Sequence, residues 1–281
     1  MKTTILIDNI PHPTLDLNHE HGLSIYFEAD GYKWLMDVGA TELFALNADK
    51  MGIDIADIDF LVLSHGHSDH TGGLAKFLRL NQKADIYMSS EIEEKLFFSY
   101  RHHPKRDISI NHFLVRQHIN RFVVADHNTM ITENVAFIRH IPNQYATPKA
   151  NDTLYVSTPQ GDVRDTFDHE AALAVMRPDG LVVFSGCSHN GVLNMLEACT
   201  QYLNQPNVKA CIGGTHLLDS DDKNQYETSA QITRIAQTIA QQHPNMQLIT
   251  GHCTGTNAKR IFADTLKGNF ETFYTGFEME L

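Results

Sequence analysis

Apolar residues in this chain occur in short runs that alternate with segments of helical periodicity. Runs of β-forming residues between polar turns predict strands at 4–7, 23–28, 32–37, 60–63, 84–88, 180–185, 208–212 and 247–250. Apolar positions three and four residues apart predict helices at 40–48, 74–80, 90–98, 191–203, 226–242 and 257–266. Strands that alternate with helices in both halves indicate an α/β fold and fit a four-layer αββα sandwich.

The section from about 100 to 168 departs from this alternation. It is strand-like but irregular, with β-forming runs at 122–124 and 135–138. Residues 139–145 and 147–149 have the composition of a long loop that is able to cover a cleft. Because no linker or low-complexity segment divides the chain, the sequence predicts a single domain over residues 1–281, with a substrate-covering insertion near 100–168.

Length and composition are those of a globular enzyme. The 281 residues are enough for one large α/β domain, and the 42% hydrophobic and 20% charged contents are ordinary. No apolar run approaches the ~18 residues that cross a membrane, and the first residues lead into a strand rather than a signal peptide. We therefore expect a cytoplasmic protein without a membrane partner. The formal charge of −12 also argues against nucleic acid as a partner.

The four cysteines are expected to be reduced thiols, because nothing in the sequence suggests secretion. Cys199 and Cys211 lie in apolar patterns and are expected in the core. Cys187 and Cys253 each lie beside a histidine motif. For these two, packing near a site is favoured over binding a metal, although both roles stay open.

The strongest chemical signal is the sequence Ser-His-Gly-His-Ser-Asp-His-Thr-Gly-Gly at 64–73, which follows a buried strand. His65 and His67 flank Gly66 on a tight turn and are able to face one ion, whereas Asp69 and His70 leave the turn in another direction. Zinc binds this mixture of imidazole and carboxylate, and catalytic zinc sites keep one position for water. The alternative is a surface loop that is rich in histidine by coincidence, which the strand in front makes a poor explanation.

Three more histidines follow apolar strands. His189, His216 and His252 each come after a strand and a glycine that permits a sharp turn. One such histidine alone is more often structural, but three beside a metal motif favour a site role for His189 and His252. His216 is predicted to act as a ligand or as a hydrogen-bond donor to the substrate, and the sequence does not separate these roles.

The motif at 65–73 resembles the signature of the metallo-β-lactamase superfamily of dinuclear metal hydrolases. Further segments stand in the order of a branch similar to the 7,8-dihydropterin-6-yl-methyl-4-(β-D-ribofuranosyl)aminobenzene 5′-phosphate synthases: Glu-His-Gly-Leu-Ser at 20–24, Leu-Met-Asp-Val-Gly at 35–39, Ser-Gly-Cys-Ser-His-Asn-Gly at 185–191, Gly-Gly-Thr-His-Leu at 213–217 and Thr-Gly-His-Cys-Thr-Gly at 250–255. The resemblance covers nearly the whole chain and implies the αββα fold and two metals.

The resemblance leads us to expect two divalent metal ions, zinc by preference, with iron and manganese left open. We assign one ion to His65, His67 and His189, and the other to Asp69, His70 and His252. Many members carry a bridging Asp where this chain has Cys187. A thiolate there would favour zinc, whereas a sulfur that only packs would leave a hydroxide alone between the metals. Asp37 is predicted either to orient a ligand histidine or to cap the turn before Gly39.

Substrate contacts are harder to predict. The basic residues at 100–106, namely Tyr-Arg-His-His-Pro-Lys-Arg, are expected either to contact a phosphate or carboxylate or to form a solvated loop. Glu20 and His21 are candidates to line the pocket. His140 either approaches the metals or simply follows the strand at Phe137 and Ile138. The helix start after Asn190 has free N–H groups that could receive an anion, but every helix start has such groups and an ordinary helix start is favoured. No phosphate-binding loop for ATP or NAD is present.

These observations predict a dinuclear-metal-dependent hydrolase that acts on a small-molecule ester, phosphorylated or pterin-like, through a metal-bound hydroxide. Asp69, which also holds the proton of the attacking water, and His216 are the predicted catalytic residues. Two alternatives are a pterin-pathway synthase or lyase that uses the metals as Lewis acids, and a metal-binding protein without catalysis. The sequence does not indicate the true substrate or the oligomeric state.

Overall fold

The computed structural model describes residues 1–101 and 103–281. Its strands are β1 Lys2–Ile7, β2 Ser24–Ala29, β3 Tyr32–Met36, β4 Phe60–Val62, β5 Asp85–Met88, β6 Phe97–Ser99, β7 Arg106–Asp107, β8 Phe122–Val124, β9 Thr129–Met130, β10 Val135–Ile138, β11 Leu154–Thr158, β12 Gly161–Arg164, β13 Ala172–Arg177, β14 Gly180–Ser185, β15 Val208–Gly213, β16 Gln247–Thr250, β17 Phe270–Thr272 and β18 Glu278–Glu280. Its helices are α1 Leu43–Lys50, α2 Ser68–Thr71, α3 Leu74–Leu80, α4 Ser90–Glu94, α5 His112–Gln117, α6 Val192–Tyr202, α7 Ser229–Gln242 and α8 Thr256–Leu266.

The first sheet has seven strands in the order β18-β1-β2-β3-β4-β5-β8. The three strands predicted at 4–7, 23–28 and 32–37 are confirmed, and as β1, β2 and β3 they pair antiparallel. Asp30 and Gly31 form the two-residue turn between β2 and β3, with φ angles of 54° and 77°. Asp-Gly suits such a turn, since both positions need positive φ to match the twist of the hairpin. The remaining neighbours in this sheet, β3 with β4, β4 with β5 and β5 with β8, pair in parallel.

The second sheet also has seven strands, in the order β17-β16-β15-β14-β13-β10-β9. The four strands from β14 to β17 are parallel, whereas β13 and β10 join antiparallel. In the parallel part Ser185 pairs with Gly213, and Gly213 pairs with Thr250. The carboxyl ends of β14, β15 and β16 therefore lie side by side at one edge of the sheet, so the loops that follow them must meet.

Three groups of buried apolar residues define the layers. One group lies between the two large sheets and includes Phe27 and Trp34 from the first sheet with Phe137 and Phe184 from the second. A second group packs the first sheet against α1 and α3, and a third packs the second sheet against α6, α7 and α8. The order helix, sheet, sheet, helix confirms the predicted four-layer αββα sandwich.

The middle of the chain differs most from its sequence-based description. The predicted helix at 90–98 is too long, since α4 ends at Glu94 and Phe97–Ser99 forms β6. Phe97 pairs with Val156 of β11, a partner that local sequence does not reveal. The strand β13 and the short helix α5 were not predicted.

A third sheet of four short strands, in the order β12-β11-β6-β7, lies within residues 97–164. The same section supplies β8 to the first large sheet and β9 and β10 to the second. The single domain with a substrate-covering insertion stays a prediction, and His102 of the basic segment lies outside the described residues. Among the described residues, no helix combines the length and the apolar character that a bilayer crossing requires.

Candidate metal centre

The predicted site residues lie in loops at one edge of the paired sheets. His65 and His67 follow β4, and Asp69 and His70 belong to the short helix α2. His189, His216 and His252 follow β14, β15 and β16 respectively. The structure therefore brings together all seven residues that the sequence singled out as ligands or catalytic groups.

Close backbone contacts are needed at these strand ends. A Cβ atom on Gly186 would lie 2.2 Å from Ser64 Oγ, so glycine alone lets the loop after β14 approach the loop after β4. Asp37, His216 and His252 have φ angles of 59°, 51° and 48°. Non-glycine residues seldom adopt this left-handed backbone, and such strain is concentrated at functional sites.

His65, His67 and His189 form the first set of nitrogen atoms. Each offers one ring nitrogen, and these atoms lie within 4.8 Å of one another. The Nε2 atoms of all three are buried and, within residues 1–101 and 103–281, have no hydrogen-bond partner. A buried polar atom without a partner is costly, and three that converge on one point fit a shared cation.

The ring orientation of two of these histidines is fixed from behind. Asn151 Oδ1 lies 3.0 Å from His189 Nδ1, so Nδ1 donates a hydrogen bond and Nε2 keeps its lone pair. Ser64 Oγ donates to Asp37 Oδ2 at 2.6 Å and therefore accepts from His65 Nδ1 at 2.8 Å. Outward-facing lone pairs on Nε2 are what a metal ion requires.

Burial keeps this first set neutral. It lowers the pKa of His65 and His189 well below the usual value, and it lowers the pKa of His67 to about 3. Neighbouring histidines contribute in the same direction. Because neutral imidazole is the form that binds metals, no proton has to leave these rings when a cation enters.

Asp69, His70 and His252 form the second set. His70 Nε2 lies 3.0 Å from His252 Nε2, and Asp69 Oδ2 lies 3.6 Å from His252 Nε2 and 3.8 Å from His70 Nε2. His70 Nδ1 donates to Asp37 Oδ2 at 2.7 Å, and His252 Nδ1 donates to Asn9 Oδ1 at 3.2 Å. Two Nε2 lone pairs therefore face each other, an arrangement that needs a proton or a cation between them.

The charges in this second set are consistent with a cation. Burial lowers the pKa of His70, but Asp37 and Asp69 outweigh burial and raise it to about 9. Burial raises the pKa of Asp69, but His70 and His252 outweigh it and bring that pKa well below its usual range. The protein thus stabilises positive charge at this position, where a divalent ion would take the place of the proton.

Asp37 serves both sets. Its Oδ2 atom accepts hydrogen bonds from His70 Nδ1 and Ser64 Oγ, and its Oδ1 atom accepts from the backbone N–H of Ser64. The side chain is fully buried. The sequence left open whether Asp37 orients a ligand histidine or caps the turn before Gly39. The hydrogen bond from His70 shows the orienting role, and the same carboxylate fixes the loop at Ser64.

Cys187, Cys253 and His216 lie around the two sets. Cys187 Sγ is 3.3 Å from His70 Nε2, and burial raises the pKa of this thiol well above its usual value. Cys253 Sγ accepts a hydrogen bond from the backbone N–H of His216. Neither ring nitrogen of His216 has a partner among the described residues, and burial holds its pKa well below the usual value.

Sequence reasoning missed a segment that holds both histidine loops. His169 Nδ1 accepts a hydrogen bond from the N–H of Gly66 at 3.1 Å, and its Nε2 lies 3.0 Å from Asp165 Oδ2. The buried Glu170 carboxylate accepts from the N–H groups of His189 and Asn190, both at 2.7 Å. Apart from histidine and carboxylate identity, no sequence signal pointed to these residues.

The structure does not place Glu20, His140 or the N–H groups at Asn190 in the site roles considered for them. Glu20 does not line the pocket, because its carboxylate accepts from Ala40 N, Thr41 N and the Thr41 hydroxyl. His140 is exposed and lies beside His127 rather than near the metal ligands. The N–H groups at Asn190 that were candidates for an external anion are occupied by Glu170.

The residues present fit two divalent metal ions. A nitrogen-rich set with one carboxylate and a nearby sulfur is chemistry that suits zinc. A cavity opens beside both sets, and its lining includes His21, His67, Asp69, His189, His216 and His252. Ligand atoms that face such a cavity leave a position for water or substrate.

Comparisons with known proteins agree with this arrangement. Residues 18–148 match the family model described as metallo-beta-lactamase superfamily. The chain is 28% identical to the 7,8-dihydropterin-6-methyl-4-(beta-D-ribofuranosyl)-aminobenzene-5′-phosphate synthase of Methanocaldococcus jannaschii, and the alignment covers 92% of this chain and 88% of that protein. This chain is also 41% identical over 79 residues to a UPF0173 metal-dependent hydrolase of Staphylococcus carnosus. That alignment covers 27% of this chain and 32% of the relative.

A solved structure extends the likeness to the whole fold. The crystal structure of Tm1679, a metal-dependent hydrolase of the beta-lactamase superfamily, superposes with a TM-score of 0.81 at 27% identity. The superposition covers 100% of this chain and 99% of that one. The resemblance inferred from the motifs is therefore confirmed.

Proposed function

We propose that this chain, which carries a metallo-β-lactamase superfamily domain, is a dinuclear-metal-dependent hydrolase of a small-molecule ester. Zinc is the proposed metal, with three histidines at one position and Asp69, His70 and His252 at the other. The proposed ester is phosphorylated or pterin-like, which accords with the product named for the relative of Methanocaldococcus jannaschii.

One observation carries the proposal. His65, His67 and His189 direct buried Nε2 atoms without partners, among the described residues, towards one point beside a cavity. A purely structural histidine cluster would pair these atoms with protein groups, because unpaired buried nitrogens destabilise the fold. Their arrangement is explained if the fold is built to hold a cation that faces a substrate.

The chain's own residues perform defined tasks in this hydrolysis. Bound divalent ions supply a water of lowered pKa and a Lewis acid for the substrate's carbonyl or phosphoryl oxygen. Asp69 faces the cavity with a carboxylate that stays ionised, so it can accept a hydrogen bond from the attacking water and orient it. His216 is neutral and also lines the cavity, where its ring N–H can donate to a substrate oxygen. Asp37 keeps His65 and His70 in their ligand orientations.

A second candidate function is that of a pterin-pathway synthase. The observation in its favour is the name of the relative that aligns with 92% of this chain at 28% identity. In such a reaction the same residues would stabilise charge during formation of a new bond to carbon instead of directing water. The metal ligands alone do not distinguish the two reactions.

Incubation in ¹⁸O-labelled water separates the two functions. Metal-loaded protein is tested against phosphodiesters, phosphomonoesters, lactones and thioesters, and products are analysed by mass spectrometry. Hydrolysis places one ¹⁸O atom in a product, and Asp69→Ala abolishes that turnover. Formation of a condensed product without ¹⁸O from pterin and phosphorylated precursors would replace the hydrolase proposal with the synthase.

A further inference from the structure

The basic segment at 100–106 divides into residues with different surroundings. Lys105 forms an ion pair with Asp162, and its Nζ atom lies 4.1 Å from the centre of the Phe98 ring. Groups within the protein therefore already balance the charge of Lys105. Arg101 and Arg106, in contrast, line the cavity beside the metal ligands. Pairing between β6 and β7 and between β6 and β11 holds this segment over the cavity.

Arg101 has an unusual environment for a guanidinium group. Its Nε and Nη2 atoms are buried, and no residue within 1–101 and 103–281 accepts a hydrogen bond from them. Arg139 and Arg177 also have an unpaired Nε, but each donates another guanidinium nitrogen to a backbone carbonyl. Buried guanidinium N–H donors without an acceptor are unfavourable, so a group absent from the chain is expected to supply the acceptor.

The charged residues around the cavity indicate that the group accepting hydrogen bonds from Arg101 is negatively charged. Among the described residues that line it, Asp69 is the one carboxylate, and the second metal position uses that carboxylate. Two guanidinium groups remain at the same cavity in a protein whose formal charge is −12. Guanidinium groups bind phosphate and carboxylate through paired N–H donors, and two cations together favour a dianion.

We propose that Arg101, assisted by Arg106, binds an anionic group of the substrate, phosphate by preference and carboxylate otherwise, away from the bond that reacts. This inference rests on the proposed function and specifies its substrate class. Arg101 provides the buried donors, and the exposed Arg106 extends the positive charge towards solvent. Substrates that lack the anionic group would leave Arg101 unpaired and would bind more weakly.

Binding of phenyl phosphate to metal-loaded protein, measured by calorimetry at fixed ionic strength, tests the assignment without requiring turnover. Loss of a charge-assisted hydrogen-bond pair predicts about 10- to 100-fold weaker binding in Arg101→Met. Arg101→Lys is expected to retain part of the affinity, because it keeps the charge but not the fork of donors. Arg164→Met is the matched control, since Arg164 ends β12 of the small sheet that flanks the Arg101 segment and pairs with Asp152.

Benzoate replaces phenyl phosphate in a parallel arm to distinguish a carboxylate from a phosphate. Arg101-dependent binding of either probe supports the proposal and names the anion. Equal affinity in wild type and in folded Arg101→Met and Arg101→Lys proteins of unchanged metal content would overturn it, as would no binding of either probe to wild type. If Arg101-dependent binding persists but no ester is hydrolysed, the hydrolase proposal fails and the anion site stands.

Discussion

Asp37 connects the two histidine sets through a single buried carboxylate. It accepts directly from His70 and, through the Ser64 hydroxyl, fixes His65. One residue therefore sets the ring orientation of a ligand in each proposed metal position. Such orienting carboxylates also raise the basicity of the ligand, so their loss weakens the metal without removing a ligand.

Asp37→Asn is expected to weaken binding at both metal positions by about 10- to 100-fold, because the amide cannot accept from both donors at Oδ2. Asp69→Ala should instead remove the metal selectively from the second position. Metal titration with a competing chelator measures both effects. Unchanged affinities at both positions in Asp37→Asn would show that the carboxylate only caps its turn.

Cys187 offers a separate test at the residue scale. Its sulfur lies 3.3 Å from His70 Nε2, but His189 two residues later already supplies an imidazole to the three-histidine position, so we expect a packing role. Cobalt-loaded protein should then lack an intense near-ultraviolet sulfur-to-metal band, and Cys187→Ser should retain both metals and most of its activity. A band that disappears only in Cys187→Ser would make the sulfur a ligand.

At the scale of elements, residues between β12 and β13 hold the two loops that carry the three-histidine set. His169 binds the loop after β4, and Glu170 binds the loop after β14. The adjacent Ala171 N–H donates to Ser64 O at 2.8 Å. These contacts span distant parts of the sequence and fix the separation between His65, His67 and His189.

Glu170→Gln should destabilise the protein by about 1–3 kcal/mol, because one carboxylate oxygen becomes an amide donor that faces the Asn190 N–H. The three-histidine position should lose metal affinity more than the second position does. Chemical denaturation and metal titration measure the two effects, and Glu133→Gln at an exposed site is the control. Equal losses at both positions would indicate general destabilisation rather than positioning.

The turn at Asp30 joins the hairpin of β2 and β3 to β9 and β10. Burial raises the pKa of Asp30, but hydrogen bonds from Thr132 and Asn134 outweigh burial and lower it. A depressed pKa stabilises the fold above the unfolded value of ~3.9, and this contribution is lost as the pH falls through the folded value.

Asp30→Asn keeps the turn but removes the charge. It should reduce stability at pH 7 by about 0.5–1 kcal/mol after allowance for solvent screening, and by less near pH 3. Urea denaturation at both pH values measures the difference. A destabilisation that is the same at pH 3 and pH 7 would contradict a role for the carboxylate charge.

The sequence predicts those parts of the fold and site that depend on local pattern. The strands before His65, His189, His216 and His252 were apparent because each is an apolar run that ends at polar and glycine residues. The roles of His169 and Glu170 were not, since each binds the backbone of a loop far away in sequence. β6 was mistaken for helix because its pairing with β11 is also non-local.

At the scale of the whole molecule, net charge and local charge differ in sign. The formal charge of the whole chain is −12, yet the site cavity is lined by Arg101 and Arg106. An acidic protein can therefore present a cationic pocket to a small anionic substrate. The two large sheets keep this pocket at their shared edge, where loops from both halves contribute the proposed ligands.

The ratio of metal to protein tests the central claim most directly. Inductively coupled plasma mass spectrometry of protein purified without chelator should find about two divalent ions per chain, mainly zinc, because each proposed position offers three protein ligands and room for water. Removal of these ions should abolish activity, and zinc should restore it. Fully active protein with far less than one metal ion per chain would contradict the account.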